Sequence, residues 1–124
     1  MNQQEFELKW KGWFRLKHEH KLERVIQELS DFVGFELHID KYERYWKDEA
    51  LLVVYLTTIL QSNSKQDVFW KACSNFSKFR EVSLGGPYHY NNSWAFQLST
   101  SQPSAITSLE MLDVECRHSL PSST

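Results

Sequence analysis

An α+β fold follows from three features of the chain. Its first segment has apolar residues at every second position, two later stretches have them at helical spacing, and a β-branched run lies between. In the first segment Phe6, Leu8, Trp10, Phe14 and Leu16 share one phase, with Gly12 in register, while Glu7, Lys9, Lys11, Trp13 and Arg15 take the other. Period two is the pattern of a strand with one face on a core and one in water. Gly12 in mid-run marks a bend, a bulge or a close neighbour.

From His20 the spacing changes. Leu22, Val25, Ile26, Leu29, Phe32 and Val33 form one stripe of an amphipathic helix, opposite Glu19, Glu23, Arg24, Gln27, Glu28 and Asp31. Gly34 ends it, because glycine adopts the left-handed cap conformation at little cost. Phe35, Leu37 and Ile39 alternate with polar residues and predict a second half-buried strand, which leads into the aromatic and charged stretch 42–47. Asp48 and Glu49 read as its turn. Residues 50–60 are apolar on both phases and predict a central strand covered on both faces, antiparallel to the one before. Ser64 and Asp67 have capping-box spacing. They open a second helix with Phe69, Ala72, Cys73, Phe76 and Phe79 inward and Val68 and Trp70 at the flanks.

Val82 and Leu84 predict a short strand broken by a bend at Gly85-Gly86-Pro87. Residues 88–90 and 94–98 predict a hairpin about Asn91-Asn92. Residues 99–104 read as a loop, 105–118 as a short helix followed by a strand, and 120–124 as a fraying end. The order β-α-β-β-α-β has the connectivity of ferredoxin-like domains: a mostly antiparallel sheet with two helices on one face, here with a C-terminal extension. The expectation is one domain over residues 1–124, its core about 5–98 and its extension 99–124.

Composition narrows the function classes. The chain has 124 residues, 41% hydrophobic and 24% charged, which is the globular range. Lys and Arg total 14 against 16 Asp and Glu. The basic residues Lys9, Lys11, Arg15, Lys17, Lys21 and Arg24 are interleaved with glutamates. Non-specific nucleic-acid affinity needs clustered positive charge, so nucleic acid is disfavoured as a partner. No apolar run reaches the roughly 20 residues that cross a bilayer, and no leader pattern opens the sequence. Cys73 and Cys116 lack CxxC spacing, so reduced thiols and a cytoplasmic protein are expected.

Few residues have catalytic spacing. His18 and His20 stand at i, i+2, which converges on a strand and not on a helix. Zinc needs further ligands, for which only His38, His89, His118 and Cys116 are on offer. Cys116 and His118 on one strand face would be about 7 Å apart along the chain, too far for direct proton transfer. Gly85-Gly86-Pro87 lacks the remaining residues of a phosphate loop. We therefore expect no cofactor, no bound metal and no catalytic residue.

The aromatic content, 15%, is the outlying number. Trp13, Tyr42, Tyr45, Trp46, Tyr88, Tyr90 and Trp94 lie off or at the margins of the apolar stripes, with Arg44 among them. Trp, Tyr and Arg dominate binding hot spots because they bury large area while keeping a polar handle. The expected function is a protein-binding module without catalytic activity, of inhibitor, immunity, adaptor or homodimeric regulatory type, with those eight residues as its binding surface. Two alternatives are a metal-dependent hydrolase built on His18 and His20, and single-stranded RNA binding with Trp13 and Tyr42 as a stacking platform.

Overall fold

The computed structural model describes residues 3–101, 106 and 108–119. In chain order the elements are β1 (Gln4–Arg15), α1 (Leu22–Val33, led in by a 3-10 turn at Glu19–Lys21), β2 (His38–Tyr45), β3 (Asp48–Ser62), α2 (Lys65–Phe76), β4 (Ser83–Tyr90), β5 (Ser93–Thr100) and β6 (Leu109–Ser119). All six strands form one sheet in the order β2-β3-β1-β6-β5-β4, and every neighbouring pair is antiparallel.

This overturns the ferredoxin-like expectation. The βαββαβ plan with two helices layered on one face has four strands, whereas the described residues are mostly sheet, with six strands and two α-helices among them. The cause is the C-terminal segment. Residues 109–119 are not part of an extension but an inner strand, seated between β1 and β5. Leu109, Leu112, Val114 and Cys116 fill this position because their side chains are buried there. The helix expected early in 105–118 is absent from 108–112. The end of the expected loop at 102–104 and the expected fraying at 120–124 lie outside the described residues.

Other boundaries also move. Phe35 and Leu37 are buried but precede β2, so the aromatic stretch from Tyr42 to Tyr45 belongs to that strand. The turn falls at Trp46-Lys47, and Asp48 already opens β3. β4 runs straight through Gly85-Gly86-Pro87. Gly85 pairs with Gln97 and Tyr88 with Ala95, so Gly86 and Pro87 together oppose Phe96 as a bulge. Proline is tolerated there because β4 is an edge strand. The hairpin about Asn91-Asn92 forms as expected, with Asn91 at φ 54.

The even-numbered side chains of β1 pack inward, and the buried faces of both helices join the same core. Trp10 lies near its middle, with ring centroids 5.8 Å from Phe35 and 6.4 Å from Phe76. Its Nε1 donates to Thr58 Oγ1 at 3.0 Å, and that hydroxyl donates to the Glu36 carbonyl at 2.8 Å. Two groups that would be costly to bury alone satisfy one another through Thr58. Gly12 is explained by a close neighbour, since a Cβ there would meet the Phe14 ring at 2.7 Å. Gly34 caps α1 at φ 73, its N–H donating to Ser30 O at 2.9 Å. Ser64 caps α2 by accepting from the Asp67 N–H at 3.3 Å. Cys73 and Cys116 are both free. Among the described residues no helix is long and apolar enough to cross a membrane.

Candidate interaction surface

The odd-numbered residues of β1 point to the second face of the sheet, which stays accessible. Register places the side chains of six strands in rows across it. One row reads Lys41, Tyr55, Lys11, Asp113, Ser99, Ser83, and the next His38, Thr57, Lys9, Glu115, Gln97, Gly85. A third holds Glu43, Val53, Trp13 and Met111. β3 is thus not covered on both faces. Ile59 on this side is 46% exposed, although Val53 is shielded to 5% by its neighbours.

At the β2 end the face carries an aromatic groove of about 370 Å³, lined by Lys11, Trp13, Tyr45, Trp46, Val53 and Tyr55 among others. Lys11 Nζ lies 4.8 Å from the Trp13 ring centre and 5.5 Å from that of Tyr55, and Lys41 Nζ lies 4.7 Å from Tyr55 on its other side. These ammonium groups sit over ring faces, where the quadrupole attracts them. Tyr45 and Trp46 meet edge to face at 6.2 Å, and Trp46 is 81% exposed with Lys47 over its ring. Burial holds the Asp113 carboxyl above its ordinary range, with the Lys11 charge opposing that rise. Lys9 pairs with Glu7, whose hydrogen bond raises its ammonium above the ordinary value.

The eight residues expected to form one surface do not come together. Trp13, Tyr45 and Trp46 share the groove. Tyr42 pairs in register with Val54 and points the other way, into a cleft with Glu19, His20 and Ile39. Trp13 and Tyr42 therefore form no common stacking platform. Arg44 also lines the groove, but its guanidinium is engaged by Leu16 O at 2.6 Å, Lys17 O at 3.3 Å and Glu19 at 3.3 Å. It ties β2 to the end of β1. Trp94 is core, 3% exposed, with Phe96 at 5.3 Å and Phe6 at 6.4 Å. Tyr88 and Tyr90 are exposed, but at the far corner. Tyr90 is level with Ser93 and Ser119, whereas Trp13 is level with Met111. The β6 stretch between Met111 and Ser119 alone spans about 27 Å.

Tyr55, Lys11, Lys41 and Met111 belong to the surface and were not among the expected residues. Tyr55 hides in an apolar run, and its odd phase relative to Leu52, Val54 and Leu56 was the available signal.

Other clusters are less suggestive of chemistry. A hollow of about 620 Å³ is bordered by Arg15, Lys17, Arg44, Glu49 and Ala50. Arg15 there is held by Glu110 at 2.7 Å and Asp48 at 3.3 Å. His18 and His20 have ring centres 5.5 Å apart, and among the described residues no three His, Cys, Asp or Glu side chains converge on a metal position. Burial pushes the Cys116 thiol up to about 12, and His118 stacks on Phe6 at 4.1 Å with its Nε2 2.8 Å from Gln4.

Comparison with known proteins returned no matching family model, curated protein or solved structure.

Proposed function

We propose that the protein is a protein-binding module whose working surface is the open face of the sheet, centred on Trp13, Tyr55 and the Tyr45–Trp46 tip. The observation that carries this reading is a whole sheet face that stays accessible while presenting Trp13, Tyr55, Ile59, Met111 and Trp46. Apolar and aromatic surface of this extent, rimmed by charge, is what partner contacts cover. The charges on the face alternate in sign, Lys9, Lys11 and Lys41 lying beside Glu7, Asp113 and Glu115. That balance suits a protein surface and argues against a polyanionic strand, which calls for a positive excess. Arg44, Trp94 and Tyr42 drop out of the proposed contact set, and Tyr88 and Tyr90 become its far margin.

The test is site-specific crosslinking. A photoreactive residue at position 55 should give protein adducts in cells of origin, whereas one at Gln27, on the outer side of α1, should not. Equal labelling at both positions, or none at position 55, would sink the reading.

A further inference from the structure

We propose that the occupant of the open face is a second copy of this chain, packed sheet against sheet about a twofold axis running along the boundary between β1 and β6. This inference rests on the open face being the working surface, and the pattern of the rows supplies the rest.

A twofold axis lying between two such faces, parallel to the strands, sets β1 of one copy over β6 of the other, β3 over β5, and β2 over β4. Lys11 then lies over Asp113 of the second copy and Lys9 over Glu115, because each pair is level across the β1–β6 boundary. Trp13 lies over Met111 by the same register. Farther out, Tyr55 of β3 meets Ser99 of β5, and Lys41 of β2 meets Ser83 of β4. Thr57 comes over Gln97, a hydroxyl opposite an amide. Lys9 and Lys11 fall on carboxylates, Tyr55 and Lys41 fall on serines, and Trp13 meets the flexible Met111, each contact occurring twice by symmetry, as an isologous interface requires.

Extent and edges agree with this arrangement. Six strands at about 4.8 Å spacing are roughly 24 Å across, and the stretch from Glu7 to Arg15 is about 27 Å long. On this face all six strands lie level only in the Lys9 and Lys11 rows, and the inner strands carry the overlap farther. The footprint is therefore on the order of 600 Å² per copy, somewhat under the ~800 Å² per partner of a stable interface. Association through the sheet edges is opposed. β4 carries the Gly86-Pro87 bulge, and β2 is interrupted by two register shifts and lined with Asp40, Lys41, Glu43 and Arg44. Bulges and charges on edge strands discourage strand addition.

Sedimentation of the intact chain at micromolar concentration should show a dimer. Lys11→Glu and Asp113→Lys should each weaken self-association by about a hundredfold, since symmetry makes every like-charge contact occur twice. An equimolar mixture of the two variants should sediment as a heterodimer, in which both contacts regain opposite charges. The internal Lys11–Asp113 pair is broken in either variant alone and in the mixture alike, so rescue on mixing reports contacts between copies. Circular dichroism checks that each variant is folded. If one is not, Ser99→Arg provides the second arm, since it places bulk where Tyr55 of the other copy would sit and should also give a monomer. A monomeric wild type, charge variants that remain dimeric, or a mixture that stays monomeric overturns the proposal. Crosslinks from position 55 to a different protein, alongside a monomeric wild type, would overturn the second copy while leaving the open-face reading standing.

Discussion

Trp13 and Phe14 are adjacent in the chain and live in different surroundings. Phe14 is fully buried on the covered face, its ring lying over Gly12, while Trp13 stands on the open face with the Lys11 ammonium above it. The same contrast runs along the whole of β1. Even positions hold Phe6, Leu8 and Trp10 in the core, and odd positions hold Glu7, Lys9 and Lys11 in a field of neighbouring charges. Large side chains on the covered face pack the core, whereas those on the open face stay accessible, which is why we propose that face as the contact surface. The difference shows that an aromatic residue's chemistry does not declare its task; the face it occupies does.

Removing a ring from each face measures the contrast most directly. Phe14→Ala should cost about 3–5 kcal/mol of unfolding free energy, whereas Trp46→Ala should stay within about 0.5 kcal/mol. Denaturant titration of both variants checks this. A large loss from Trp46→Ala would mean that the tip is part of the fold and not of a contact surface.

A polar break in the core comes next. Thr58→Val keeps the shape but leaves the Trp10 N–H and the Glu36 carbonyl without their shared partner. The expected cost is about 1–3 kcal/mol, with a change in the near-ultraviolet signal of Trp10. A neutral outcome would show that water replaces the hydroxyl and that this part of the core is open to solvent.

The smallest effects are in pH dependence, where the two faces pull in opposite directions. Asp113 on the open face is held above its ordinary value by burial, so the folded state keeps its proton longer than the unfolded chain. Its contribution is fully present below the unfolded value and is lost as pH rises through the folded one. Asp113→Asn should flatten that decline in stability measured between pH 3 and 7. His118, packed against core residue Phe6, is held below its ordinary value, first by burial and then by Lys65. The unfolded chain therefore takes up its proton first. Stability is full above the unfolded value and falls as pH drops through the folded one. His118→Gln should remove that acid-side loss. If neither substitution alters the profile, the environments of the two faces are less distinct than their packing indicates.

The cysteines allow one chemical check. A buried thiol held near 12 is almost never ionised at neutral pH. Cys116 should therefore resist alkylation in the folded protein, while the half-buried Cys73 reacts slowly and both react in denaturant. Rapid labelling of Cys116 would mean that β6 opens readily from the sheet.

What the sequence determined by itself was local. The alternation in β1, the stripe and glycine cap of α1, the serine cap of α2 and the hairpin at Asn91-Asn92 all depend on residues a few positions apart, and each is where the spacing places it. Tertiary structure decided which strands became neighbours. Ile106, Leu109 and Leu112 have helical spacing and Leu112, Val114 and Cys116 strand spacing, and the strand extends from Leu109 because β1 and β5 provide backbone partners on both sides. The pairing with β1 joins residues about a hundred positions apart, and no local pattern records it. The same long-range register sorted the aromatic residues, sending Trp94 into the core, turning Tyr42 away from Trp13, and setting Tyr55 between Lys11 and Lys41. A side chain's face follows from strand phase, but its neighbours across a sheet follow from pairing, and pairing is settled only when the whole core closes.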